Sequence, residues 1–298
     1  MLQQYQIPIQ QFLNYIRFEK RYSAHTSIAY QNDLEQFTAY LASQYDGINI
    51  TEVNASIIKS WLAELKTDDI TSRSIKRKIS SLKSFYKFHL KSGLITKSPM
   101  ATIISPKVSN RLPSFVAEKD MNTLLNTLDF EDSWNGKTER VVLLTFYHTG
   151  MRLSELLGLT ADSIDFHYHQ IKVLGKGNKE RIIPITSDLN DALTEYIQLR
   201  KELNPTIKNL FINDKAKAIS RSKVYQLVKM NIGKVSTIHK KSPHVLRHTF
   251  ATHLMNNGAE LNAVKELLGH SSLAATQVYT HNTIEKLKET FKKAHPKA

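Results

Sequence analysis

Across residues 1–93, apolar positions recur three or four apart, the spacing that lines one face of an α-helix. Ile9, Phe12, Leu13 and Ile16 form one such row, followed by a charged stretch over 17–21. Ser23 is placed to cap a second helix whose apolar face carries Tyr30, Leu34, Phe37 and Leu41. A third helix is expected from about Ser56, with Ile57, Trp61 and Leu65. A fourth is expected from Thr71 or Ser72, with Ile75, Ile79, Leu82, Tyr86 and Leu90, ending near Gly93. Pro99, Pro106 and Pro113 then block regular helix, which marks 94–113 as an extended linker. From 114 to 298 the helical pattern returns, interrupted by one β-hairpin. Its β-branched runs, Gln170–Leu174 and 181–185, flank Gly175-Lys176-Gly177-Asn178-Lys179, residues that tolerate positive φ. The expected fold class is mainly α: a helical domain over 1–93 and a mostly helical domain with a small antiparallel sheet over 114–298. A chain of 298 residues also exceeds the usual size of one core.

Charge sharpens this picture. Lys and Arg number 41 against 27 Asp and Glu, a formal net charge of +14. Such a balance suits a polyanionic partner, nucleic acid first and an anionic membrane second. The fourth helix carries Arg73, Lys76, Arg77, Lys78, Lys83, Lys87 and Lys91, and residues 70–117 contain no Asp or Glu. Solvated helix faces ordinarily mix signs, because opposite charges at i,i+4 support the helix. A one-signed stripe points instead to regularly spaced phosphates, so Arg73, Lys76, Arg77, Lys83 and Lys87 are candidate DNA contacts. The chain has no cysteine, which excludes disulfides, Fe–S clusters and a cysteine nucleophile. No apolar run approaches the roughly 20 residues of a membrane helix, and the N-terminus lacks the features of a signal peptide. A cytoplasmic, nucleoid-associated protein with no membrane partner is expected.

Four segments of the second domain carry candidate chemistry. In TGMRLSELLGL, over 149–159, Gly150 permits a tight turn before Arg152, and Glu155 follows one turn into a helix. Arg152 offers a planar fork suited to phosphate. In VLGKGNKERIIPI, over 173–185, Lys176 sits between two glycines at the hairpin tip, with Lys179 and Arg181 as further phosphate contacts. In SPHVLRHTFATHL, over 242–254, Ser242 and Pro243 make a strong helix start, placing His244 and Arg247 on one face near a helix N-terminus, where anions are favoured. In LLGHSSLAATQVYTH, over 267–281, Gly269 ends a helix, His270 sits at the junction and Tyr279 follows. Taken singly, each of these residues has an ordinary structural reading: a surface ion pair, a solvated turn, a packed tyrosine. Together, two arginines, two histidines, a lysine and a tyrosine without an acidic pair suit metal-free attack on a phosphodiester. Guanidiniums can clamp the charge of the pentavalent transition state, a tyrosine can form a covalent intermediate, and a lysine or histidine can protonate the leaving hydroxyl. His244 and His248 have i,i+4 spacing, but the glutamate of a zinc-protease motif is missing and Arg247 lies between them, so no metal or other cofactor is expected.

In this order the segments resemble the tyrosine recombinase (integrase) superfamily, whose signature is Arg, Lys, His-x-x-Arg, His or Trp, then Tyr. Here Arg152, Lys176, His244-Val245-Leu246-Arg247, His270 and Tyr279 fill it. Length, basic helical N-domain, linker and the ending Ala294-His295-Pro296-Lys297-Ala298 resemble the Xer subgroup. The resemblance implies an N-terminal SAM-like core-binding domain and a C-terminal catalytic domain that clamp a double-stranded recombination site. It implies a homo- or hetero-tetramer on DNA, with a second Xer recombinase and a septal DNA translocase as further partners. It implies strand exchange through a Holliday junction, without ATP or divalent metal. By the same carry-over, Arg152 and Arg247 hold the scissile phosphate and Lys176 protonates the leaving 5′-hydroxyl. His244 assists Tyr279, the nucleophile, His270 bonds the phosphate or positions neighbours, and Glu155 orients the arginines. A mobile-element integrase or invertase is the alternative within this class; a non-catalytic sequence-specific DNA-binding protein is one outside it. The apolar row Ile284, Leu287 and Phe291 must bury itself, on a neighbouring protomer by the resemblance or in cis on its own domain.

Overall fold

In a computed structural model the residues described are 3–107, 114–175, 179–203, 206–269 and 289–296. The chain divides into two compact units, Met1–Arg111 and Leu112–Ala298. The first is built from α1 (Gln3–Asn14), which runs on into a π-turn at Tyr15–Glu19, α2 (Ala24–Gln44), α3 (Ala55–Thr67) and α4 (Ser72–Lys91). Side-chain oxygens start three of these helices. Ser23 accepts the Thr26 N–H, Asn54 accepts those of Ser56 and Ile57, and Thr71 accepts that of Ser74. Each satisfies donors that a helix start leaves free. Phe12, Phe37, Trp61, Leu82, Phe85 and Tyr86 fill the core between them.

Three details of this unit depart from the sequence reading. Leu90 is exposed, and His89 takes the buried place, its ring 3.2 Å from the Pro8 carbonyl. Ile95, Met100 and Ile103 are buried in the same core, so the part of the expected linker up to 103 packs onto the helices. Its apolar side chains gain more from burial than an extended tether would allow. Finally, the basic stripe is not free of acid. Asp33 of α2, wholly buried, accepts from Lys78 at 3.0 Å, from Ser81 at 2.7 Å and from Arg77. Lys78, itself buried, also donates to Gln36. At 3.6 residues per turn, Lys78 falls on the face of Ile75, Leu82 and Phe85, whereas Arg73, Lys76, Lys83 and Lys87 are grouped on the opposite, exposed face.

The second unit contains α5 (Glu118–Asn122), α6 (Trp134–Thr149), α7 (Leu153–Leu157), β1 (Ile164–Asp165), β2 (Gln170–Leu174), β3 (Glu180–Pro184), α8 (Ser187–Glu202), α9 (Arg221–Val235), α10 (Pro243–Asn256) and α11 (Leu261–Leu268). The strands form an antiparallel sheet in the order β1-β2-β3, with Val173 opposite Arg181 and Ile171 opposite Ile183. Helix α6 is the central element, buried along most of its length. Phe250, Leu254, Val264, Leu267 and Leu268 form a second cluster, which Phe291 and Ala294 complete in cis. The Ala294 carbonyl accepts from Asn257 Nδ2 at 3.1 Å, and the His295 ring lies 3.3 Å from the Tyr147 carbonyl. Phe291 is therefore buried on its own domain; Ile284 and Leu287 lie outside the described residues. Among the described residues no helix is long and apolar enough to cross a membrane.

Asp33 anchors two cations, and its loss leaves Lys78 buried without its carboxylate. Asp33→Ala is expected to destabilise the first unit by about 3–5 kcal/mol. The Asp33→Ala/Lys78→Met double variant should recover much of that loss. Urea unfolding of the full chain measures both, and an additive or larger loss in the double variant would refute the coupling.

Candidate active site

The site begins where α6 stops. Gly150 takes a left-handed conformation, φ 57°, and a Cβ there would lie 2.3 Å from the Phe250 ring. Glycine thus allows the sharp turn and the close approach of α10 together. The turn delivers Arg152 as the residue that opens α7. Glu155, on the first turn of α7, reaches back: its Oε2 accepts the Arg152 backbone N–H at 2.7 Å, and its Oε1 accepts from the Arg152 guanidinium at 2.9 Å.

Glu155 is also gripped from β3. Arg181 donates from both terminal nitrogens to the two carboxylate oxygens, each at 2.8 Å, and both side chains are buried. Burial alone would push the carboxyl up. Hydrogen bonds from Arg181 and the Arg152 backbone, with the charge of Arg181, outweigh that and hold it at about 2. Arg247, from α10, is buried too; it donates to the Gly150 carbonyl and to the Leu268 carbonyl, both at 2.7 Å. Desolvation, then the positive charge of Arg152, pushes its pKa down to about 10, with Glu155 acting in the opposite sense, so it stays protonated at neutral pH.

The end of α11 gathers all three arginines. Its closing carbonyls are each taken by one guanidinium: Leu267 by Arg181 at 3.0 Å, Leu268 by Arg247 at 2.7 Å and Gly269 by Arg152 at 3.2 Å. A helix C-terminus leaves carbonyls unpaired and carries partial negative charge, so cations suit it. Gly269 is left-handed, φ 64°, and a Cβ on it would come within 3.0 Å of the Arg181 side chain. Three guanidiniums face one carboxylate. The excess positive charge, in a partly dry setting, suits an oxyanion such as a phosphodiester.

Of the residues singled out in the sequence, Arg152, Glu155 and Arg247 are thus brought together. His244, on the first turn of α10, is exposed, and Lys179 is exposed at the hairpin. Lys176, His270 and Tyr279 lie outside the described residues. Arg181 is corrected: it is buried against Glu155 and the end of α11, so it is not an exposed phosphate contact. Strand alternation could have shown this, because Arg181 lies on the same face as buried Ile183. Arg77 is also changed in role, since Asp33 holds part of its guanidinium. Among the described residues, no cluster of three or more His, Asp or Glu is arranged to hold a metal ion.

Because the folded pKa of Glu155, about 2, lies below the ordinary 4.5, its ion pairs contribute stability fully above pH 4.5. That contribution is lost as pH falls through about 2. In urea unfolding, the gap between wild type and Glu155→Gln should be widest above pH 4.5 and close as pH falls toward 2. A gap that stays constant over this window would mean that the carboxylate charge is not what holds the cluster.

Comparison with known proteins fits this geometry. A family model described as the phage integrase family matches residues 114–286, and one described as the phage integrase N-terminal SAM-like domain matches residues 9–93. The chain is 40% identical over 291 residues to a tyrosine recombinase XerC of Listeria innocua, spanning 96% of this chain and 97% of that one. Its fold is shared by solved structures of recombinases. The Tn1549 transposon integrase with circular intermediate DNA gives a TM-score of 0.71 at 20% identity, covering 94% of this chain and 98% of the integrase. The XerH recombinase bound to palindromic difH gives 0.70 at 23% identity, covering 89% and 78%. By the span matched and the identity along nearly its whole length, the chain belongs to the phage integrase family and is a tyrosine recombinase.

Proposed function

We propose that this recombinase acts as an Xer-type enzyme on double-stranded DNA, resolving chromosome or plasmid dimers at cell division. The gathering of Arg152, Arg181 and Arg247 at one helix end, with Arg152 and Arg181 also bonded to Glu155, is the observation that carries the chemical reading. Identity to XerC relatives along nearly the whole chain favours the Xer role over a mobile-element one. In this reading Arg152 and Arg247 bind the non-bridging oxygens of the scissile phosphate. The Tyr279 oxygen attacks phosphorus, forming a 3′-phosphotyrosyl bond as the bond to the 5′-oxygen breaks. Lys176 gives that oxygen its proton, while His244 takes or relays the tyrosine proton and His270 steadies the phosphate. The phosphotyrosine stores the bond energy, so rejoining needs no nucleotide. The first unit reads the site through Arg73, Lys76, Lys83 and Lys87, with Lys179 touching backbone from the hairpin. Four protomers, alone or with a second recombinase, exchange strands through a Holliday junction, and a septal DNA translocase is the activating partner.

Duplexes selected from a random pool by the purified protein supply a substrate. On a nicked suicide version of that site, wild type should form a covalent protein–DNA adduct in the presence of EDTA, and Tyr279→Phe should bind equally well but form none. Adducts from the Phe variant, or dependence on added magnesium, would overturn the mechanism. Lys176→Ala should be slow on a 5′-oxygen leaving group, by about 100-fold or more, and largely rescued by a 5′-sulfur, which departs without a proton.

Backbone binding is tested separately. Neutralising Lys76, Lys83 and Lys87 together should lower the slope of log affinity against log salt by about 2–3. An unchanged slope would make that face an ordinary solvated one.

A further inference from the structure

Arg181 is absent from the residues that the recombinase signature assigns, yet it has the most enclosed position of the three arginines. It is 4% exposed. Two of its nitrogens hold Glu155 and the third holds the Leu267 carbonyl at 3.0 Å. Two glycines border it. A Cβ on Gly175 would lie 3.5 Å from its Nη1, and one on Gly269 would lie 3.0 Å from the same atom. Gly175 immediately precedes Lys176, and Gly269 immediately precedes His270 and the segment that leads to Tyr279. The Gly175 N–H is bonded to the Lys179 carbonyl at 2.7 Å, which closes the base of the hairpin beside the guanidinium.

We propose that Arg181 is a positioning residue for the strand-cleavage reaction. By bridging Glu155 and the end of α11, it sets the hairpin base that presents Lys176 and the helix end that leads to Tyr279. One planar side chain therefore fixes the origins of the proton-donating arm and the nucleophilic arm together. Lysine cannot substitute, because it offers a point charge where a three-way fork is used. The inference rests on the roles given above to Lys176 and Tyr279.

Single-turnover cleavage of the suicide duplex, made with a 5′-oxygen or a 5′-sulfur leaving group, tests it. Arg181→Ala is expected to bind DNA within about threefold of wild type and to cut the oxygen substrate about 100-fold more slowly, as a misplacement near 1 Å can cause. About tenfold of that loss should return on the sulfur substrate, where a displaced proton donor no longer matters. The remainder should persist, because the nucleophile's anchor is still disturbed. A merely structural arginine would slow both substrates alike. An equal loss on both, or no loss, therefore overturns the proposal. Should Arg181→Ala not fold, Arg181→Lys carries the same measurement: it keeps the buried charge but cannot hold Glu155 and Leu267 together. A wild-type rate in Arg181→Lys would also overturn it. Wild type and Tyr279→Phe are run beside these variants. If wild type forms no adduct, the recombinase mechanism itself fails. If wild type forms one and Tyr279→Phe does not, the Arg181 result bears on positioning alone.

Discussion

A single carboxylate, Glu155, with the closing carbonyls of α11 around it, is the constraint on which the catalytic unit depends. Four stretches far apart in sequence meet there: the turn at Gly150–Arg152, strand β3 through Arg181, helix α10 through Arg247, and the helix end at Leu267–Gly269. Hydrophobic packing brings these stretches near one another but is tolerant of small displacements. Bidentate and helix-end hydrogen bonds are not, because they weaken steeply with angle and distance. Buried ion pairs rarely add much net stability, since desolvation offsets their attraction. Compared with well-packed apolar side chains in the same place, the gain at this site is therefore chiefly one of geometry.

The same cluster is electrostatically unfinished. Glu155 can neutralise one guanidinium; burial first, and then the positive charge of Arg152, lowers the pKa of Arg247, so like charges remain close together there. An anion entering between Arg152 and Arg247 would relieve that repulsion and gain from a partly dry environment. Since Glu155 and the surrounding carbonyls already orient both guanidiniums, little reorganisation is needed when negative charge grows on the non-bridging oxygens. Preorganisation of this kind favours the transition state over the ground state.

Much of this was legible in the sequence, and the exceptions have a common physical cause. Helix starts at Ser23 and Thr71 follow from capping chemistry, the start at Pro243 follows from proline's fit to the first helical position, Ser242 making no side-chain cap bond, and the hairpin follows from its glycines. Arg152, Glu155 and Arg247 could be named because their residue types suit an anion. Arg181 as a phosphate contact and Lys78 as part of the basic stripe are expectations in which charge outweighs periodicity. Each lies on the buried face by simple counting, two along a strand from Ile183 and three along a helix from Ile75. Their partners, Glu155 and Asp33, are distant in sequence, so no local pattern announces the compensation. The packing of Ile95, Met100 and Ile103 on the first unit was hidden for a similar reason: prolines signal the loss of helix, not the loss of contact.

The opposed faces of α4 carry one more consequence. Buried Lys78 and the exposed row of Arg73, Lys76, Lys83 and Lys87 are fixed to each other by the helical repeat alone. One residue inserted between Lys78 and Lys83 would rotate everything beyond it by about 100°. That shift would carry Lys83 and Lys87 off their face and Leu82 and Phe85 out of the core. Lengthening within α4 is thus forbidden in single steps, whereas the turn at Asp68–Ile70, which has no such phase to keep, can absorb it. Across descendants of this sequence, length variation should collect at the helix ends and leave the interior of α4 at constant length.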